Sequence, residues 1–240
     1  MDELRQAWEE NAGAWIAWAR APGHDSYWRF HRDVFLELVP TPWGRTLDLG
    51  CGEGRLARDL AALGHDVAAV DGSPTMVAAA RKAAPEMEIQ IADAAALPFP
   101  DAAFGLVVAF MSLQDVDDLA GAIGEAARVL VPGGRLCLAI VHPLNSAGSF
   151  AERAPDSPFL IRGSYLDESV TDQTVERDGR SMRFVSRHRP LETFTEGLAA
   201  HGLVIERLRE PALPESAFRD ASGRRWQRLP LFLHLRALKP

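Results

Sequence analysis

The octapeptide at residues 47–54, Leu-Asp-Leu-Gly-Cys-Gly-Glu-Gly, constrains this chain more than any other stretch. An apolar, β-type run of Thr46, Leu47 and Leu49 leads into it, and Arg55-Leu56-Ala57-Arg58-Asp59-Leu60 leaves it as a helical segment. Glycines at a strand-to-helix turn let the backbone approach a ligand closely, because no Cβ intervenes. Strand, glycine-rich turn and helix, in that order, form the nucleotide-cradling element of an open α/β sheet. The spacing narrows the choice of nucleotide. A dinucleotide fingerprint reads G-x-G-x-x-G, and its third glycine would fall on Arg55. The pattern here is D-x-G-x-G-x-G, running from Asp48 through Gly50, Gly52 and Gly54. This counts against a nicotinamide dehydrogenase.

The segments that follow keep the same register of strand, acid and helix. Residues 65–71 are a short apolar run ending in Asp71, the pattern of a buried parallel strand. Asp71 lies 17 residues past Gly54, near the roughly 20-residue offset of a ribose-binding carboxylate in such sheets. Gly72-Ser73-Pro74 follows, with Ser73 as helix N-cap and Pro74 at the first helical position. The helix is expected over 74–84, with Met76 in its first turn. A strand ending at Ala92 then delivers Asp93, Ala94 and Ala95. Residues 104–110 form a fourth strand, and Phe110, Met111, Gln114 and Asp115 open at its carboxyl end, where ligands bind in these sheets. A helix over 117–130 and a Pro-Gly-Gly turn lead into a fifth strand ending at His142.

Taken in order, these motifs, with the phrase Arg-Val-Leu-Val-Pro-Gly-Gly-Arg-Leu at residues 128–136, resemble those of class I S-adenosylmethionine-dependent methyltransferases. The branch in question includes ubiquinone and other small-molecule methyltransferases. The resemblance covers 45–142 strongly, 190–240 moderately and the rest weakly. It implies a Rossmann-like seven-stranded α/β sheet with helices on both faces and an antiparallel last strand. It also implies a cofactor site built from Asp48, Gly50, Cys51, Gly52 and Gly54 at the first turn, and from Asp71, Gly72, Ser73 and Met76 at the second. Asp93, Ala94 and Ala95 would meet the adenine, with Phe110 and Met111 beside them. The cofactor is S-adenosylmethionine, leaving S-adenosylhomocysteine as product.

Outside this core, residues 2–20 and 26–38 read as helices forming an N-terminal cap over 1–44. In the resembled family such helices lie over the cofactor. Tyr27 and Trp28 are then candidate aromatic neighbours for the sulfonium, a cation that cannot donate hydrogen bonds. Packing in the core is the competing reading for these rings and for Trp8, Trp15 and Trp18. Residues 143–189 are too long for an ordinary connection. The runs at 159–165 and 182–186, with a turn at Asp178-Gly179, predict a β-hairpin lid. Surface excursion and dimer contact are its alternatives. Strands are expected at 203–208 and 231–238, the last inserted antiparallel. The loop between them carries Phe218, Arg224, Arg225 and Trp226, and suits either an anionic acceptor or a solvated basic surface.

The whole chain reads as one methyltransferase domain of 240 residues. A formal charge of −7 argues against a nucleic-acid partner, and no apolar run approaches the length of a membrane span. The first residues lack the layout of a signal peptide. The two cysteines, Cys51 and Cys137, read as reduced small hydrophobes, and no metal-ligand spacing appears. The expected setting is the cytoplasm, as a monomer or homodimer.

Methyl transfer from a sulfonium needs orientation and desolvation more than activation, and a weak oxygen or carbon nucleophile also needs a base. His142 is the first candidate, because imidazole titrates near neutrality. A strand-end histidine bonded to backbone is the alternative. Asp115 is a second base or an orienting group, unless it caps the next helix, and Gln114 stands beside it. In similar methyltransferases two histidines often occupy the Gln114-Asp115 position. Two other readings share the fold: an aminopropyl transferase, for which Gln114-Asp115 offers only one acid, and a non-catalytic cofactor-binding partner or sensor protein.

Overall fold

The computed structural model describes residues 3–218 and 220–240. Thr46 to Leu49 are buried on both faces, as a central parallel strand requires. They form β1 (Arg45–Leu49), which pairs in parallel with β2 (Asp66–Asp71) on one side and β4 (Phe104–Phe110) on the other. Every residue of β4 is buried. β3 (Glu88–Ile91) adds to β2, and β5 (Leu130–Val141) to β4, both in parallel. β11 (Phe232–Leu238) inserts antiparallel between β5 and β10 (Val204–Arg209). The order is β3-β2-β1-β4-β5-β11-β10, the seven-stranded sheet with an antiparallel last strand that the sequence implies.

Helices cover both faces. α2 (Arg32–Leu36), α3 (Arg55–Ala62) and α4 (Pro74–Ala83) pack over Val67, Ala69, Val108 and Phe110. α5 (Leu119–Val129) and α7 (Leu191–Ala200) pack over Leu47, Leu49, Val107 and Leu138. α4 begins as expected: Pro74 is its first residue and the Ser73 hydroxyl accepts from the Met76 amide at 3.1 Å. The helix expected over 26–38 is shorter, a turn of π-helix at Tyr27–His31 running into α2. The widened turn brings both Tyr27 and His31 against Phe110. α1 (Glu3–Ala19) lies against α4 and the segment that follows strand four, where the Asp117 carboxylate accepts from the Leu4 and Arg5 amides at 3.2 and 3.3 Å.

The insertion after β5 differs from the expectation of one hairpin built from 159–165 and 182–186. A short helix, α6 (Pro143–Ser146), comes first. β6 (Gly148–Phe150) then pairs with β7 (Phe159–Ile161), and β8 (Ser169–Arg177) pairs with β9 (Arg180–His188). The Asp178-Gly179 turn is where the sequence puts it, with φ of +50° and +73°. These values fit the two-residue primed turn that matches strand twist. Such a turn fixes the register, so Ser169–Arg177 pairs with β9 and the apolar run at 159–161 does not. Among the described residues no helix is long and apolar enough to cross a membrane.

A buried pair of histidines sits between α2 and the sheet. His31 Nε2 and His234 Nε2 lie 2.8 Å apart, with both rings among Phe30, Phe35, Phe110 and Phe232. Burial holds His31 well below the ordinary imidazole pKa and pushes His234 down to about 4. Between pH 6.5 and about 4 the unfolded chain therefore binds protons that the native His234 refuses, and stability falls as pH drops through 6.5. By pH 4 this amounts to about 3 kcal/mol for His234. Carboxyls such as the buried Asp48 and the half-buried Asp115, both pushed up to about 7, act with the opposite sign. The readout is thus a difference. Denaturant unfolding should show the parent losing more stability between pH 7.5 and 5 than a His31→Leu/His234→Leu variant, and equal losses would contradict the assignment.

Candidate active site

The chain leaves β1 through Gly50, Gly52 and Gly54, with φ of +76°, +56° and +82°. At Gly50 the constraint is also one of space: a Cβ there would stand 2.4 Å from Ser112 Cβ. The Ser112 hydroxyl donates to the Leu49 carbonyl at 2.6 Å, which stitches the segment after β4 onto the turn after β1. Strand order reverses between these two strands, and a crevice opens at their carboxyl ends. It holds a cavity of about 750 Å³.

One end of the cavity is acidic. Asp71 accepts from the Gly52 amide at 2.8 Å and from the Ser73 amide at 2.9 Å, while burial raises its pKa. Asp48 is buried, and its Oδ2 has no hydrogen-bond partner among the described residues. Burial, with a smaller push from Asp71, raises its carboxyl to about 7. Asp93 is exposed, and its Oδ1 accepts from the Ala95 amide at 2.8 Å. Met76, Gly72, Ser73, Ala94, Phe110, Met111 and Cys51 complete this wall.

The other end is made by the segment after β4 and by the insertion. Asp115 accepts from the Ser186 hydroxyl of β9 at 2.6 Å and from Gln114 Nε2 at 3.0 Å. Burial outweighs both bonds and pushes its carboxyl up to about 7. Asp115 is therefore not a helix cap; Asp118 caps α5 by accepting from the Gly121 amide. Thr171 and Gln173 pair with Ser186 and Phe184 across the β8–β9 hairpin, and all four line the cavity. Phe150 and Trp226 form a further wall, in edge contact at 4.8 Å.

Five expected residues lie elsewhere. His142 is not on the cavity wall. Its Nδ1 accepts from the Leu144 amide at 3.0 Å to cap α6, and its Nε2 lies 2.9 Å from Glu210. Burial lowers its pKa despite that carboxylate. With both nitrogens engaged it has a structural task, so His142→Ala should leave turnover within about twofold. It should cost about 1 kcal/mol of stability as a lost cap, and a large loss of activity in a folded variant would contradict this. Tyr27 is core: its ring contacts Phe110 and the Arg55 guanidinium, and its hydroxyl donates to Asp59 at 2.5 Å. Trp28 is half exposed and donates to the Ala19 carbonyl. Gly54 packs against α4, where its Cβ would meet Ala80 Cβ at 3.1 Å. Ala95 has its amide tied to Asp93.

The aromatic cap comes from α1 instead. Arg5, Trp8 and Trp15 line the cavity, with the two indoles in edge contact at 5.8 Å. Their spacing of three and seven residues puts them on one helix face, which was the available signal. Arg5 Nε donates to the Gly72 carbonyl at 3.2 Å and Nη1 stands 3.8 Å from Asp93, so it spans the second and third turns.

A sheet of this order, with glycine turn and acids at the carboxyl ends of β1, β2 and β3, defines the Rossmann-like methyltransferase fold. The family described as methyltransferase domain matches residues 47–138. A probable S-adenosylmethionine-dependent methyltransferase of Mycobacterium tuberculosis is 36% identical over 146 residues, 60% of this chain and 53% of that one. A demethylmenaquinone methyltransferase of Thermus thermophilus is 41% identical over 134 residues, 53% of this chain and 60% of that one. The chain thus spans between half and two thirds of the length of these curated relatives. The crystal structure of an S-adenosylmethionine-dependent methyltransferase from Mesorhizobium loti superposes with a TM-score of 0.72 at 26% identity, covering 89% of this chain and 98% of that one. Residues 47–138 thus match a methyltransferase domain, and the chain is similar there to S-adenosylmethionine-dependent methyltransferases.

The residues present fit that family's cofactor. The Asp48 oxygen without a partner among the described residues, on a carboxyl that burial pushes up to about 7, suits a cationic group that would favour its ionised form. Asp71, fixed by two backbone amides, keeps lone pairs for hydroxyl donors such as a ribose diol. Trp8 and Trp15 present aromatic surface suited to a cation.

Proposed function

We propose that the chain methylates an oxygen or carbon of a small-molecule acceptor, with Asp115 as the general base. When bound, S-adenosylmethionine supplies an electrophilic methyl group on a sulfonium. Asp48, Asp71, Gly50 and Gly52, which line the cavity at the carboxyl ends of β1 and β2, would hold the cofactor. Asp115 stands at the end of β4 on the same cavity, where it takes the proton that an acceptor hydroxyl or enol loses. Ser186 and Gln114 hold the carboxylate in place. α1 and the β8–β9 hairpin exclude water, with Trp15 and Trp18 meeting Phe184 at 6.2 and 5.9 Å.

The observation that carries this reading is Asp115: a half-buried carboxyl on the wall of the cavity, held by Ser186 and Gln114, with its pKa pushed up to about 7. A base is most effective when its pKa lies near working pH. An amine acceptor would need less from it, and a sensor would have no use for it. The test is methyl-labelled S-adenosylmethionine incubated with a panel of phenols, enols and amines. The expected result is label in phenols or enols at a rate that rises with pH through about 7. Label in amines alone, or a rate independent of pH across this range, would overturn the reading.

A further inference from the structure

The cavity wall carries six arginines among the described residues. Five have a carboxylate within 4.0 Å: Arg5 with Asp93, Arg55 with Asp25, Arg153 with Asp220, Arg187 with Asp117 and Arg189 with Glu168. Arg225 has none among the described residues. Its guanidinium lies over the Phe150 ring at 5.5 Å from the centroid and 5.9 Å from that of Trp226, and it donates to the Ser222 carbonyl. The setting is braced. Phe150 pairs with Phe159 across β6–β7, and Arg228 ties the 310 segment Ala221–Gln227 to the β6–β7 connection by donating to the Ser157 carbonyl at 2.7 Å.

An arginine with no counter-ion among the described residues, half buried and held against two rings inside a cavity, has a fixed orientation and unspent N–H donors. A guanidinium has five such donors in a planar fork, and one is committed to Ser222. The remaining edge matches a carboxylate, which it can hold through two parallel bonds. Phe150 and Trp226 beside it offer flat apolar surface, where a ring stacks or meets edge to face. Asp48, Asp71 and Asp93 sit at one end of the cavity, and Arg225, with no carboxylate within 4.0 Å among the described residues, sits with Phe150 and Trp226 at the other.

We propose that Arg225, with Phe150 and Trp226, is an anion subsite that selects an aromatic acid as the acceptor. The carboxylate is held at Arg225 as an anchor, and a different group of the acceptor reacts. The proposal rests on the methyl-transfer reading only for calling the bound molecule an acceptor.

The test is a calorimetric titration of 4-hydroxybenzoate and its neutral isostere 4-hydroxybenzamide into the full chain, with and without saturating S-adenosylhomocysteine. The parent should favour the acid over the amide by about tenfold to a hundredfold, as expected for a charge-assisted pair. Arg225→Gln should abolish that preference and leave S-adenosylhomocysteine affinity unchanged, while Arg225→Lys should keep part of it. A parent that binds acid and amide equally or binds neither, or a preference that survives in Arg225→Gln, would overturn the subsite. Failure of S-adenosylhomocysteine to bind the parent would instead strike the methyl-transfer reading, and the acid–amide comparison without it would still decide the role of Arg225.

Discussion

Asp115→Asn should lower turnover by about a hundredfold to ten-thousandfold, the usual span for a lost general base, while S-adenosylhomocysteine affinity stays within about twofold. The substitution keeps the shape of the side chain and one of the two hydrogen bonds it accepts, but removes the group that takes the proton. The pH profile separates this from a packing effect. With a carboxyl pushed up to about 7, the parent rate should fall tenfold per unit below that pH and level off above it, because only the ionised form accepts a proton. The Asn variant should lose this limb. Ser186 lowers the Asp115 pKa by donating to it, so Ser186→Ala should move the limb to higher pH. An unchanged profile in both variants would place the base elsewhere.

Asp71→Asn should weaken S-adenosylhomocysteine binding by about tenfold to a hundredfold or more, since a charge-assisted bond contributes about 1.5–3 kcal/mol. An amide also cannot accept from both the Gly52 and Ser73 amides as the carboxylate does. The fold should hold, for a physical reason. The Asp71 pKa is raised by burial, and its charge in turn raises that of Asp48, so the ionised pair is a liability to the empty protein. Neutralising Asp71 should therefore lower the Asp48 pKa, and this offsets the backbone hydrogen bond that is lost, so the variant should remain folded. Parent-like affinity in a folded Asp71→Asn protein would mean that the second turn does not hold the cofactor.

The elements legible in the sequence were those whose chemistry is local. The turn at 47–54 and the acids Asp48, Asp71 and Asp93 each sit within a few residues of the strand that positions them, so spacing alone located them. His142 was misleading for the opposite reason. Its partner Glu210 is 68 residues away and the amide it caps belongs to a helix of four residues, neither of which the strand pattern announces. Tyr27 and Trp28 were reasonable aromatic neighbours for a cation. The π-helical turn sends Tyr27 into the core, and the open face is covered by Trp8 and Trp15. The hairpin turn at Asp178-Gly179 was correctly placed. Its first strand was not, because Ser169–Arg177 is mostly exposed and polar, while 159–161 carries the apolar run. Arg225 was visible only as one member of a basic loop. That no carboxylate among the described residues stands within 4.0 Å of it is a tertiary property that no spacing records.

The central claim is that the cavity at the carboxyl ends of β1, β2 and β4 binds S-adenosylmethionine. Isothermal titration of the full chain with S-adenosylmethionine and with S-adenosylhomocysteine tests it most directly. Micromolar, one-to-one binding of both is the predicted result. Absence of heat or of saturation with either, in protein shown to be folded, would contradict the account at its base.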